Sequence, residues 1–244
     1  MSVVFFAGLG LIFGSFGTVL LERLPKKQSL LGRSRAICCN NILPPWQLIP
    51  VLSFVLVRGR CAHCAAAIPW RYPGVEVASA FLFAFARLHE ASIVDGFLLS
   101  LLLWCLFLIT LLDGQWGIIP DSLNIPFAVL GAGYSLSHGV LPFVSGVFGL
   151  SFFAVQWLLS RGRWVGSGDV LLGLGVGLAL GTIEKVAVAL WFSYVLAAIV
   201  CLGLIAGKQW TRKQHVPFGP FLAAGFVIAF FGTDTLARVL LGIS

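Results

Sequence analysis

The sequence predicts an all-α polytopic membrane protein of about eight transmembrane helices, with a cytosolic, cysteine-containing loop domain after the first helix. Of its 244 residues, 59% are hydrophobic and only 10% are charged, and the mean hydropathy is +1.00. Soluble domains carry about 25% charged residues, so this composition excludes an ordinary soluble protein. The first apolar run, 3–21, is long enough to span a bilayer and follows no basic segment, so we expect a retained helix rather than a cleaved signal peptide.

Seven further apolar segments follow the first along the chain. A full crossing needs about 20 residues, so the second, fourth, sixth and eighth segments are short for one. We predict three parts: a first transmembrane helix (1–21), a cytosolic loop domain (22–73) and a membrane-embedded core (74–244). The eight segments are 3–21, 74–88, 93–112, 122–137, 141–159, 169–182, 186–206 and 217–232.

The distribution of basic residues predicts the orientation of these segments. Thirteen of the 16 Lys and Arg residues lie in alternate connections, which follow the first, fifth and seventh segments. Connections rich in Lys and Arg remain in the cytoplasm, so both termini are expected outside. The last two of these connections carry Arg161 and Arg163, and then Lys208, Arg212 and Lys213.

Three aspartates lie at segment ends on this predicted cytosolic side: Asp113, Asp121 and Asp169. Ionisable groups at membrane segments are costly and often mark functional sites. Asp121 follows Pro120 and suits the first turn of a helix, where an acid is favourable, so a purely structural role would explain it. Asp113 closes a helix at the end where the helix dipole disfavours an anion. A functional role is therefore indicated more strongly for Asp113 than for Asp121.

Asp169 lies in the stretch WVGSGDVLLGLGVGLALG, where glycines surround a single acid. Gly166 and Gly168 remove side chains beside it and would allow a facing helix or an extended peptide to approach. Asp169 could also simply cap the helix that starts there. Three later glycines repeat every four residues and predict a flat face for close helix packing. They are Gly173, Gly177 and Gly181.

Two carboxylates at close range do not both ionise easily and therefore share a proton. One then acts as general base to a water while the other donates a hydrogen bond, which is aspartic-protease chemistry and needs no metal. No Ser/His/Asp order and no HExxH motif competes with this interpretation. The alternative from another class is a small transporter or proton relay, which also uses membrane aspartates and glycine-rich helices.

Five motifs occur in order along nearly the whole chain and resemble those of the type IV prepilin peptidase family, membrane aspartic proteases with a GxGD motif. On this resemblance the chain is identified as a member of that family. An enzyme of another GxGD class, such as a preflagellin-type or presenilin-like protease, is disfavoured by the long cysteine loop. The motifs are GLIFGSFGTVLLERLP, LIPVLSFVLVRGRCAHCAAAIPWRYPGVE, LLDGQWGIIPDSLNIP, GSGD and VPFGPFLAAG.

The resemblance implies that Asp113 and Asp169 are the catalytic pair of an aspartic endopeptidase. It implies cleavage, after a glycine that precedes an apolar helix, of the basic leader of type IV prepilins or type II secretion pseudopilins. The enzyme would be a multi-pass protein of the bacterial inner membrane with its site facing the cytoplasm, contacting lipid and no nucleic acid. Its supporting or substrate-site residues would be Asp121, Gly166, Gly168, Pro217 and Gly219.

The family's fuller members also methylate the new amino terminus with S-adenosylmethionine. On this resemblance, a second set of residues would be associated with methyl transfer. That set is Gly14, Ser15, Arg23 and Glu76.

The cysteines of the loop domain suggest a zinc site, because two CxxC pairs together form a four-thiolate knuckle. Cys61 and Cys64 make one intact pair. Alignment with the family places Cys39 second in the other pair and Ala36 where the first cysteine would stand. Cys38 is the remaining candidate for the fourth ligand, although adjacent cysteines chelate one metal awkwardly. The alternatives are a three-thiolate site and reduced cysteines without metal.

Overall fold

The computed structural model describes residues 1–36, 38–207 and 216–241, with side chains as far as residue 232. Its described regular structure is helical, which confirms the predicted all-α class. The helices are α1 (Ser2–Arg23), α2 (Leu52–Leu56), α3 (Arg71–His89), α4 (Ile93–Trp116), α5 (Asp121–Ser137), α6 (Phe143–Ser160), α7 (Ser167–Leu180), α8 (Ile183–Ala206) and α9 (Gly219–Leu241), with a 3₁₀ helix at Pro45–Leu48 before α2.

Each of the eight predicted apolar segments corresponds to one long helix. One predicted boundary is wrong, because α4 does not end at Asp113 but continues for most of another turn to Trp116. Gly114 is tolerated inside the helix, and Gly117 ends it with φ +63°, where its N–H donates to the Asp113 carbonyl (2.8 Å). A glycine in this left-handed conformation commonly terminates a helix. Asp113 therefore lies within the last turn of α4.

Four of the described helices are long and apolar enough to cross a membrane: α1, α4, α6 and α8. Two more, α7 and the described part of α9, are apolar but shorter. The chain is thus helical with four candidate spans, and eight full crossings remain a prediction. The connection that carries Lys208, Arg212 and Lys213 lies outside the described residues.

The chain divides into two compact units, residues 1–104 and 105–244. In the first unit, α1 packs antiparallel against α3 through small residues. A methyl group added at Gly10 would lie 2.6 Å from the Cα of Ala80, and one added at Gly14 would lie 2.6 Å from the Cα of Glu76. Only glycine allows the two backbones to come this close.

The second unit is organised around α7, which packs antiparallel to α6 and parallel to α5. Gly173 faces the Gly149 carbonyl of α6, and Gly177 faces Ser145. The other side of α7 contacts α5, where Gly175 meets the ring of Phe127. The glycine repeat therefore packs tightly as the sequence predicts, and it does so within this unit. Because α5 and α7 run parallel, their first turns lie at the same end.

Candidate active site

Asp113 lies in the last turn of α4 and is 6% exposed. Its Oδ2 accepts a hydrogen bond from the backbone N–H of Gly219, the first residue of α9, at 2.7 Å. A methyl group at position 219 would lie 2.8 Å from that oxygen, so the contact requires glycine there. The preceding Pro217 and Phe218 lie outside regular secondary structure and are half-buried. Gly219, assigned to the site by resemblance alone, thus touches Asp113 directly.

Asp169 occupies the third position of α7 and is half-buried. Its Oδ2 accepts a hydrogen bond from the N–H of Gly166 at 3.0 Å, so the carboxylate does cap its own helix. Its Oδ1 is buried and has no hydrogen-bond partner among the described residues. The capping role considered from the sequence is therefore real, but it satisfies only one of the two carboxylate oxygens.

The two aspartates lie close enough for their charges to interact. Each carboxylate accepts a hydrogen bond from one backbone N–H at a helix end. The position of each carboxylate is therefore set by the backbone and not by a second, flexible side chain. Asp121 is exposed in the first turn of α5, and no hydrogen bond joins it to the pair in the described chain. The structure thus brings together Asp113, Asp169, Gly166 and Gly219.

Asn124 is a buried polar residue of α5 that the sequence analysis did not single out. Its Nδ2 donates to the carbonyl of Gly168 at 2.8 Å, immediately before Asp169. Gly168 also packs on Ile119, where an added methyl group would lie 2.8 Å from the isoleucine Cβ. Both contacts fix the start of α7. An asparagine within the apolar run of α5 was the available signal, because such residues in membrane helices usually have a specific partner.

Three of the four residues that the family resemblance associates with methyl transfer lie together in the first unit. Glu76 is 9% exposed and accepts a hydrogen bond from Val51 N–H at 2.7 Å and another from Ser15. Gly14 contacts the Glu76 backbone. Val51 has φ +59°, which is rare for a β-branched residue and requires support from its surroundings. Glu76 therefore joins the loop domain to the α1–α3 pair.

Arg23, the fourth of these residues, makes its contacts elsewhere. It ends α1, and its guanidinium donates to the carbonyls of Ser29 (3.0 Å) and Leu30 (3.2 Å). Two other residues reinforce this end of α1: Glu22 accepts from the Tyr72 hydroxyl at 2.8 Å and pairs with Arg71. Arg23 thus shapes the loop that follows α1.

The first cysteine turn spans residues 36–41. The N–H of Ala36 donates to the carbonyl of Asn41 (2.8 Å), and the N–H of Asn40 donates back to the carbonyl of Ala36 (2.7 Å). Asn40 has φ +58°, in the left-handed region. Ala36 therefore occupies the first position of this turn.

The second cysteine turn, residues 61–66, repeats this pattern. The N–H of Cys61 donates to Ala66 (2.8 Å), the N–H of Ala65 donates to Cys61 (2.8 Å), and Ala65 has φ +57°. Position by position, Ala36 corresponds to Cys61. The structure therefore agrees with the alignment that places an alanine where a cysteine is expected.

The four cysteine sulfurs nevertheless lie within 4.8 Å of one another. Cys39 and Cys61 are 3.9 Å apart, and Cys64 and Cys38 are 3.0 Å apart, measured between Sγ atoms. Zinc–sulfur bonds of about 2.3 Å in a tetrahedron place sulfurs about 3.8 Å apart. The Cys39–Cys61 pair matches this spacing, and the sulfurs of Cys38 and Cys64 would have to separate by about 0.8 Å to hold the metal. Cys38 reaches the cluster from the third position of its turn, which the sequence analysis judged awkward.

The thiols of this cluster differ in acidity. Backbone N–H groups of His63 and Cys64 lower the pKa of Cys61 to about 6. The hydrogen bond shared with Cys64 is the main cause that raises the pKa of Cys38 to about 12. Metal ligands must be thiolates, so Cys61 is prepared for binding whereas Cys38 would lose its proton to the metal.

Residues 9–89 match the model of the Bacterial Peptidase A24 N-terminal domain, and residues 100–206 match that of the Type IV leader peptidase family. The chain belongs to the type IV leader peptidase family. The identification made from five motifs is thereby confirmed, and it favours a peptidase over the transporter alternative. Both aspartates lie within the second matched range.

Curated relatives align with this leader peptidase along nearly its whole length. The prepilin leader peptidase/N-methyltransferase of Bacillus subtilis is 30% identical over 97% of this chain and 96% of its own. Proteins of the same name from Pseudomonas aeruginosa and Burkholderia pseudomallei are 31% and 33% identical, over 96% of this chain and 91% and 86% of theirs. No solved structure gives a significant match.

Proposed function

We propose that this leader peptidase cleaves the basic leader from type IV prepilins or type II secretion pseudopilins, with Asp113 and Asp169 as the catalytic pair. The observation that carries the proposal is the pairing of two helix-end carboxylates in a chain of this family. The relatives that align over nearly the full length are named prepilin leader peptidases, which supports this substrate class. The three acids at and beside the site suit a basic leader by charge complementarity.

Hydrolysis by this pair follows from proton sharing. One carboxylate accepts a proton from a water whose oxygen attacks the scissile carbonyl carbon, while the other carboxyl donates its proton to the carbonyl oxygen. The tetrahedral intermediate then collapses and the C–N bond breaks. The leaving amine takes the proton that the first carboxylate accepted from water, and the second carboxylate recovers its proton from the former carbonyl oxygen. The N–H groups of Gly166 and Gly219 hold one oxygen of each acid, so the remaining oxygens face the reaction. No metal or cofactor is required for these steps.

The predicted membrane arrangement suits this reaction. We propose eight crossings, one in 1–21 and seven in 74–244, with 22–73 as a cytosolic loop domain. The aspartates would lie at the cytoplasmic face of the inner membrane of a bacterium. The support is the bias of Lys and Arg toward alternate connections and the four helices that are long enough to span. The beginnings of α7 and α9 and the end of α4 meet at Asp113 and Asp169, as alternating crossings require.

The loop domain is proposed to bind zinc through four thiolates, Cys38, Cys39, Cys61 and Cys64. The metal would join the two cysteine turns, which are too small to form a core of their own. Support comes from the mutual approach of the four sulfurs. In this role the metal is structural and takes no part in proteolysis.

Methylation of the new amino terminus with S-adenosylmethionine is proposed as a second activity. The curated relatives carry N-methyltransferase in their names, which supports it. Glu76, Ser15 and Gly14 are proposed to contribute by holding the loop domain against α1 and α3. Arg23 is proposed to contribute separately, by shaping residues 29–33.

The test is incubation of the purified chain with a full-length type IV prepilin in detergent, with and without S-adenosylmethionine. Mass spectrometry of the product's amino terminus reads both activities. We expect cleavage immediately after the leader glycine in both samples and a methyl group only in the second. Absence of cleavage, or cleavage elsewhere, would refute the peptidase proposal. An unmethylated product in the second sample would refute the methyltransferase proposal alone.

A further inference from the structure

An open groove of about 440 Å³ lies between α6 and α8 in the second unit. Its walls are apolar apart from three polar side chains, two of which lie at one end. The lining residues are Phe148, Ser151, Phe152, Val155, Gln156 and Tyr194. On α6 they extend from Phe148 to Gln156, about 12 Å of helix.

The polar end of the groove is formed by Gln156 and Tyr194. The Tyr194 hydroxyl donates to Oε1 of Gln156 at 2.9 Å, and Nε2 of Gln156 donates to the Phe152 carbonyl at 3.2 Å. The amide retains a second N–H, and both oxygens retain acceptor capacity. A polar pair between membrane helices often does no more than hold the two helices together. The position of the pair in the fold therefore decides whether it has a further role.

That position is beside the catalytic aspartates. The Tyr194 ring packs on Phe218 with centroids 4.9 Å apart, and Phe218 immediately precedes the glycine that binds Asp113. Tyr194 also lies within range of the electrostatic field of the Asp169 carboxylate. On α6, Phe153 packs against Gly173, one turn beyond Asp169, so Asp169 lies at the level of the groove's polar end.

We propose that this groove receives the apolar segment that follows the cleaved bond of the substrate. The inference rests on the proposed function and adds the binding site for the part of the substrate that is retained. A peptide cleaved at Asp113 and Asp169 and continuing along α6 would place polar backbone at Gln156 and Tyr194, and apolar side chains along Phe152, Val155 and Phe148. A backbone that is extended for cleavage exposes N–H and C=O groups, which need partners in an apolar environment. Gln156 and Tyr194 are therefore positioning and specificity residues.

The first test fills the groove. Val155 and Val147 are both exposed on α6, but only Val155 lines the groove. We expect Val155→Trp to raise the KM for full-length prepilin about tenfold while kcat changes little, and Val147→Trp to leave both unchanged. A short peptide with the same leader and bond, but lacking the apolar segment, should be cleaved equally by wild type and both variants. Equal KM values of the two variants for full-length prepilin would overturn the proposal.

The second test avoids the possibility that a tryptophan in the groove disturbs folding. A photo-crosslinking amino acid is placed at position 155, or at 147 as the control, in an inactive Asp169→Asn background. We expect crosslinks from position 155 to the apolar segment of prepilin. Crosslinks from 155 only to lipid or to a second copy of the chain would overturn the groove assignment. If wild type cleaves no prepilin at all, the proposed function fails, which is a distinct outcome from either of these.

Discussion

The N–H of Gly219 donates a 2.7 Å hydrogen bond to Oδ2 of Asp113, joining the first residue of α9 to the last turn of α4. The two residues are 106 positions apart in the sequence. The contact places the Pro-Phe-Gly-Pro motif at the aspartate pair, and it gives the motif's glycine a direct role. The same backbone segment carries Phe218 to the groove between α6 and α8.

Gly219→Ala should impair cleavage without unfolding the protein. The added methyl group would lie 2.8 Å from the Asp113 carboxylate and displace it, and a shift of about 1 Å can cost about 100-fold in rate. The matched control is Gly232→Ala on the same helix, where the nearest neighbour would be 3.9 Å away. The measurement is the initial rate of prepilin cleavage. Comparable rates for the two variants would contradict a role for this contact.

Asn124→Leu should lower both activity and stability. The substitution removes the hydrogen bond to the partly buried Gly168 carbonyl, at a cost of about 0.5–1.5 kcal/mol. We expect cleavage about tenfold slower, because the start of α7 positions Asp169. Ser122→Ala, on an exposed site two residues earlier, is the control. Thermal unfolding and cleavage rate together test this, and an unchanged rate with lowered stability would make Asn124 purely structural.

Gly177→Ala should destabilise the second unit. The added methyl group would press on the Ser145 carbonyl and lie 2.7 Å from the Cα of Gly146, and overpacking of this kind costs about 1–3 kcal/mol. Gly133→Ala in α5, where nothing lies within 4 Å, should be neutral or stabilising by up to about 1 kcal/mol. Unfolding in detergent distinguishes them. Equal stability of both variants would exclude close α6–α7 packing.

The amount of bound zinc should depend on which of positions 36 and 38 in the first cysteine turn carries a cysteine. Cys38→Ala should reduce bound zinc because it removes the fourth thiolate, whereas Ala36→Cys combined with Cys38→Ala should restore it. The restored cysteine would correspond to Cys61 of the second turn. Metal content per chain, determined by elemental analysis, is the measurement. Full zinc content in Cys38→Ala alone would mean that Cys38 is not a ligand.

Much of the fold follows from hydropathy. Eight apolar segments predict eight long helices, and the glycine spacing after Asp169 predicts the close face of α7. The end of α4 was misplaced because glycine lowers helix propensity without preventing a helix. Gly114 continues the helix, and Gly117 ends it. Local propensity does not determine which of two glycines adopts a positive φ.

The site was predictable in part. Asp113 was singled out because it lies at the wrong end of a helix dipole, and Asp169 because glycines surround it. The contacts of Asn124 and Tyr194 could not be read from the sequence, since each joins residues more than 20 positions apart. The approach of Cys38 to the cluster depends on how its turn is folded. In the sequence, the position of Cys38 next to Cys39 made Cys38 an unfavourable ligand.

The central claim is that Asp113 and Asp169 act as one catalytic pair. Each is replaced in turn by asparagine, which keeps size and shape, and each variant is co-expressed with a prepilin whose processing is read as a mobility shift. Accumulation of folded Asp113→Asn and Asp169→Asn proteins with unprocessed prepilin is the expected result. Full processing of the prepilin by either variant would contradict the assignment.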